Sequence, residues 1–199
     1  MQITIDLDAK RTRRCGGCTL CCKLLPMYDY GFDKPAGKRC PHQRTGKGCA
    51  IYGRHPPCCK IWACGWLSNQ EATPNMSRPD RTHYVIDPAP DFITLRNKET
   101  GEIANQIPCI QVWLDPDFPE AHRDPALREF LAEEGKKGLV ALIRTTTRDG
   151  WVLAPPTVNP NGKAEWYEAR EGTAIDPRTH TAAEKEAVLG EMNLVLTPG

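Results

Sequence analysis

From Tyr84 onward the chain reads as short apolar runs broken by polar turns, the rhythm of strands and not of long helices. Tyr84 to Ile86, Phe92 to Arg96 and Ile103 to Trp113 are rich in β-branched and aromatic residues and predict three strands. Asn97 to Glu102 supplies the turn of a hairpin between the last two. Pro108 interrupts the third run, which points to an edge strand or a bulge. The pattern then changes period. Leu127, Phe130 and Leu131 share one helical face behind Asp124-Pro125, a capping residue followed by Pro at the first helical position. Gly135 or Gly138 ends that helix. Leu139 to Thr147 and Trp151 to Ala154 flank Asp149-Gly150, a strong hairpin signal. Ala164 to Arg170 suggests one more strand, and Thr181 with Glu184 forms a capping box that opens a final helix to about Met192.

The grammar before Tyr84 is different. Ile3, Ile5 and Leu7 alternate in an N-terminal arm, residues 1–14, which ends in the basic run Lys10 to Arg14. Residues 15–67 are crowded with cysteine, glycine and proline; turns at Lys34 to Gly37 and Thr45 to Gly48 leave room for little beyond one short helix within Cys15 to Leu25. Residues 68–82 read as a polar connector to residues 83–199. The expected fold class is α+β: an irregular cysteine-rich metal-binding module packed on a small antiparallel sheet with two or three helices. No run approaches the length of a membrane span.

Nine of the ten cysteines lie between Cys15 and Cys64, four of them spelled Cys15-Gly-Gly-Cys18-Thr-Leu-Cys21-Cys22. So many thiols in so short a space have no packing rationale. Thiolates are soft ligands for zinc and iron, and a CxxC step offers two of them from one turn. A disulfide framework is the competing reading, but it needs an oxidising compartment. Asp6 and Asp8 interrupt the N-terminus, which lacks the apolar core of a signal peptide, so a cytoplasmic location is expected. Cys109, alone in a strand, reads as a small apolar core residue. His42 and His55 could each complete a site through nitrogen; His83, His122 and His180 read as surface or core residues. Tyr52, Trp62 and Trp66 are expected to pack around the metals.

Charge adds one competing reading. Ala9 to Cys64 holds twelve Lys and Arg against two acids, whereas Met76 onward holds fourteen basic and twenty acidic residues. A basic region can mark nucleic-acid binding. It can equally offset thiolate charge, since a tetrathiolate zinc centre carries about −2. The basic run lacks the interleaved aromatics of single-strand readers, which favours compensation.

These residues resemble the zinc- or iron-chelating CxxCxxCC cysteine-cluster domain, a widespread and mainly bacterial family. The resemblance covers about residues 15–67. It rests on Cys15, Cys18, Cys21 and Cys22, on Cys40-Pro41, on the run Cys49-Ala-Ile-Tyr52 to Pro56 and Cys59, and on Cys64 between Trp62 and Trp66. The family's Arg before Pro is His55 here. Aligned on Tyr52 and Pro56, the family cysteine falls at Cys59 and leaves Cys58 as a spare thiol, which Lys60 and His55 nearby would activate. The resemblance implies a metal-binding module with eight ligands, Cys15, Cys18, Cys21, Cys22, Cys40, Cys49, Cys59 and Cys64, the number that two tetrahedral sites or one multinuclear cluster would use.

The expected function is therefore a metal-binding protein that holds zinc, preferred, or iron through cysteine thiolates. An iron–sulfur oxidoreductase, electron carrier or modifying enzyme is the alternative, because cysteine ligation suits both; some relatives of the family are joined to protein lysine methylation. A nucleic-acid-binding zinc ribbon is the third reading. Metal ions are the expected partners, with no membrane. Cofactor loops rich in glycine, Ser/His/Asp signatures and zincin helices are not found in the sequence.

Overall fold

The computed structural model describes residues 12–29, 31–97 and 99–170. The alternating arm at Ile3 to Leu7, His180 and the final helix read from Thr181 lie outside them. Five short helices and nine strands make up the described chain: α1 (Leu20–Leu24), β1 (Met27–Asp29), β2 (Phe32–Lys34), β3 (Gln43–Arg44), β4 (Gly48–Cys49), α2 (Pro57–Ile61), α3 (Gly65–Ser68), α4 (Pro79–Thr82), β5 (Tyr84–Arg96), β6 (Ile103–Leu114), α5 (Pro125–Gly135), β7 (Val140–Arg144), β8 (Gly150–Ala154) and β9 (Tyr167–Ala169). No described helix is long and apolar enough to cross a membrane.

The main sheet has the order β5-β6-β7-β8-β9. It is mixed, which corrects the expected antiparallel sheet: β6 and β7 run parallel, from Cys109 beside Val140 to Trp113 beside Arg144. The cause is α5, which carries the chain back so that β7 enters beside Cys109, in the middle of β6, and runs in the same direction. Pro108 is also not on an edge strand. Pairing with β7 begins one residue later, at Cys109, so the missing N–H faces a side of β6 with no neighbour. Two irregularities interrupt the β5-β6 register, one between Asp87 and Asp91 of β5 and one between Leu95 and Arg96, where β6 carries the extra residue between Ile103 and Asn105. The Asp149-Gly150 hairpin forms as β7 and β8, with Gly150 paired to Arg144 and the turn built by Thr145 to Asp149.

Period-two alternation divides the sheet's residues between two layers. On one face Ile86, Val112, Leu114, Ile143 and Leu153 pack against Leu127, Phe130 and Leu131 of α5. Asp124 caps that helix, its carboxylate accepting from the Leu127 amide at 2.9 Å and from the Tyr84 hydroxyl at 3.1 Å. On the other face Val85 and Trp113 meet Leu20, Leu24, Leu25 and Cys64. The cysteine-rich segment is thus the second cover of the sheet.

That segment is more regular than its turns suggest. It holds two antiparallel hairpins, β1-β2 and β3-β4, besides its helices. Proline sets most boundaries: α2, α4 and α5 each have Pro in the first turn, and α1 stops at Leu25, whose extended backbone (ψ 145°) is what a following Pro26 demands. The polar connector is structural as well. Thr73, Met76 and Pro79 are buried within it, and Arg13 ties it down by bonding the Trp66, Thr73 and Pro74 carbonyls while lying over the Trp66 ring.

Candidate metal centre

The paired glycines of Cys15-Gly16-Gly17-Cys18 have a steric reason. A Cβ on Gly17 would strike the Gly46 carbonyl, and one on Gly48 would strike the Gly16 carbonyl. The opening loop therefore lies directly on the β3-β4 turn, backbone against backbone. A turn bond from the Cys18 amide to the Cys15 carbonyl at 2.9 Å brings those two residues round, and α1 then carries Cys21 and Cys22. The Cys40 amide bonds the Cys22 carbonyl at 2.9 Å, which fixes the third stretch of the module to the first.

Cys15, Cys18, Cys21 and Cys64 line one small cavity of about 20 Å³, room for a single water-sized occupant. Trp66, Pro79 and Val85 close it with apolar surface. Main-chain amides at the starts of short helices point at the sulfurs: Leu20 and Asp80 toward Cys18, Trp66 and Leu67 toward Cys64. N–H groups aimed at sulfur favour thiolate, and Cys64 gains both because it stands at the N-terminus of α3. Burial works the other way. It raises Cys18 above its ordinary value and, with the neighbouring charges of Cys15 and Cys18, pushes Cys64 up to about 12. A hydrogen bond with Cys22, then burial, holds Cys21 well above the usual thiol range.

A second gathering lies around Lys34. This lysine is 3% exposed, at the end of β2, and its Nζ donates to the Pro35 and Lys38 carbonyls at 3.2 and 3.0 Å. Burial lowers its pKa; the charges that oppose this come from Cys22, Cys40, Cys21 and Cys59. The hydrogen bond from Cys21, helped by Lys34, brings Cys22 down to about 7. Cys59 is pushed up to about 12 by burial and by Cys58 beside it. Sequence reasoning missed Lys34, although a lysine on a strand of so short a hairpin is unusual only for being buried, which no local pattern reveals.

The adjacent thiols of Cys21 and Cys22 lie close enough to hydrogen-bond. Cys58 is not activated. Its amide donates to Asp29 at 2.9 Å, its sulfur lies 3.8 Å from that of Cys59, and burial followed by the Asp29 carboxylate raises its pKa. Cys49 sits on β4, paired with Gln43, whose amide reaches back to the Cys40 carbonyl at 3.0 Å. Cys109 is buried in β6 beside Val140, Leu142 and Ala154, away from the other nine. Of the histidines, His42 stacks on Phe32 and His55 on Tyr52, with His55 Nδ1 already accepting from the Gly53 amide. Tyr52 is 73% exposed and stacks on His55 without being buried in the module. His122, fully buried, is a core residue edge-on to Trp151.

None of the ten cysteines is in a disulfide. Among the described residues, no group of three or more His, Cys, Asp or Glu side chains already has its donor atoms placed to hold a metal ion. The chemistry of the cavity still fits a soft or borderline metal: four sulfurs, amide donors behind them and apolar walls. No family model matches this chain, and no curated protein or solved structure matches it either.

Proposed function

We propose that this protein holds zinc, or iron in its place, through cysteine thiolates of residues 15–67, in the manner that its CxxCxxCC motif implies. The observation that carries the reading is the convergence of Cys15, Cys18, Cys21 and Cys64 on one apolar cavity. Four thiols placed so close together oppose one another's ionisation, and burial opposes it further. A dication reverses the sign of both effects, since each thiolate then faces a positive charge. Zinc is preferred because four sulfurs complete its tetrahedral shell, and no residue for a coupled reaction lies in the cavity lining.

The test is metal analysis with an absorption spectrum on protein purified without oxygen. Colourless protein with about two zinc ions per chain, the number eight thiolates would hold, is the expected result. Brown protein with acid-labile sulfide would transfer the same ligands to an iron–sulfur centre. Protein that takes up neither metal after reduction and reconstitution would end the proposal. Affinity should weaken as pH falls, because protons compete for thiols whose pKa values are raised.

A further inference from the structure

The geometry points to two separate metal centres, divided between the neighbours Cys21 and Cys22: one of Cys15, Cys18, Cys21 and Cys64 under β5, and one of Cys22, Cys40 and Cys59 beside Lys34. This rests on the thiolate reading above and adds how the ligands are shared. The first set is defined by the cavity that its four side chains line, and Cys22, Cys40 and Cys59 are not part of that lining. The second is gathered about Lys34, almost wholly buried, on whose ammonium the charges of Cys22, Cys40, Cys21 and Cys59 act; of these four, Cys21 alone also lines the cavity and so stands at the boundary between the sets. The Cys40–Cys22 main-chain bond holds two of those residues together independently of any side chain. Four sulfurs fill a tetrahedral shell, so Cys49, the eighth ligand of the motif, falls to the second centre.

The environments of the two sets differ in charge. The cavity under β5 is closed by a tryptophan, a proline and a valine; main-chain amides point at its sulfurs, and the charges that reach Cys15 and Cys18 belong to Arg78 and Asp80, which pair with each other. The second set has a buried ammonium for a neighbour. A lysine is seldom buried without a compensating negative charge. Thiolates on a metal, which leave the centre with net negative charge, supply one. The second centre is then the one whose charge balance depends on a single side chain, and Lys34→Met should weaken it alone.

Protein loaded with cadmium-113 in place of zinc gives the first readout and requires no variant. Two resonances in the sulfur-ligated region with no cadmium–cadmium coupling are expected. Coupling between them would mean shared thiolates, with Cys21 and Cys22 bridging one multinuclear cluster, and would overturn the division. Zinc content gives the second readout. Cys18→Ser, Cys64→Ser and the double variant of both should each lose about half of the zinc, as should Cys40→Ser, Cys59→Ser and Lys34→Met. Cys64→Ser combined with Cys59→Ser should lose all of it. If a double variant within one set loses as much as one across sets, the grouping is wrong while thiolate binding stands. If wild-type protein binds neither zinc nor cadmium, the thiolate reading fails and the division with it.

Discussion

Adjacent cysteines are where single residues matter most in this molecule. Cys58 and Cys59 differ by one position, yet only Cys59 lies near Cys22 and Cys40, while Cys58 gives its amide to Asp29 and feels that carboxylate at its sulfur. A thiol facing a carboxylate is kept protonated, which is the wrong state for a ligand or a nucleophile. Cys58→Ala should therefore keep full metal content, and Cys59→Ala should lose about one centre's worth. Cys109→Ser should keep all metal but cost on the order of 1–3 kcal/mol, because it places a hydroxyl in an apolar site. Zinc content and urea denaturation of the three variants check this together. Metal loss from Cys58→Ala with full content in Cys59→Ala would show that the alignment on Tyr52 and Pro56 is off by one, and equal loss from both would make both cysteines ligands.

At the scale of elements, α5 depends on its first residue. The Asp124 carboxylate serves both the helix amide of Leu127 and the hydroxyl of Tyr84, a side chain only 1% exposed. Asp124→Ala removes a cap, about 1 kcal/mol, and leaves a buried hydroxyl unpaired, about 1–3 kcal/mol more. Asp124→Asn retains an acceptor and should lose much less; a comparison of their urea midpoints decides the matter. This helix was legible because its start signal, its apolar face and its terminal glycines are all local. So were the turn between β5 and β6 and the strands either side of Asp149-Gly150, although the runs Tyr84 to Ile86 and Phe92 to Arg96, read as two strands, are one strand, β5. The parallel pairing of β6 with β7 was not, since pairing direction depends on where α5 packs and not on any residue of β6. The two small hairpins among the cysteines were also hidden, because strands of two or three residues carry no readable alternation. The cysteine cluster was visible in the sequence and the resemblance implied a ligand set, but the gathering of Cys15, Cys18, Cys21 and Cys64 on one cavity was not legible: the opening loop is placed by the Gly17–Gly46 and Gly48–Gly16 contacts, which join segments some thirty residues apart in the chain.

The whole molecule is a sheet covered on two faces by different means. α5 covers one face with a close-packed apolar layer, Leu127 and Leu131 being 0% and 1% exposed. The cysteine-rich segment covers the other with three leucines and Cys64 set over Val85 and Trp113. Its helices are four and five residues long, too short to persist without tertiary support. On the proposed function, metal would supply much of that support, since its binding free energy becomes folding free energy. Removal of the metal by a strong chelator under reducing conditions should make residues 15–67 sensitive to protease while residues 84–154 remain protected. Trp113, 3% exposed beneath the segment, should shift its fluorescence to longer wavelength as that cover loosens. Trp151, on the α5 side, should stay in place, whereas Trp62 and Trp66 belong to the segment and should shift with it, so a Trp113→Phe variant should lose only part of the shift. Equal protection of both regions after verified metal loss would mean that the leucines alone hold the cover down. In that case metal would be a passenger of the fold and not part of what maintains it.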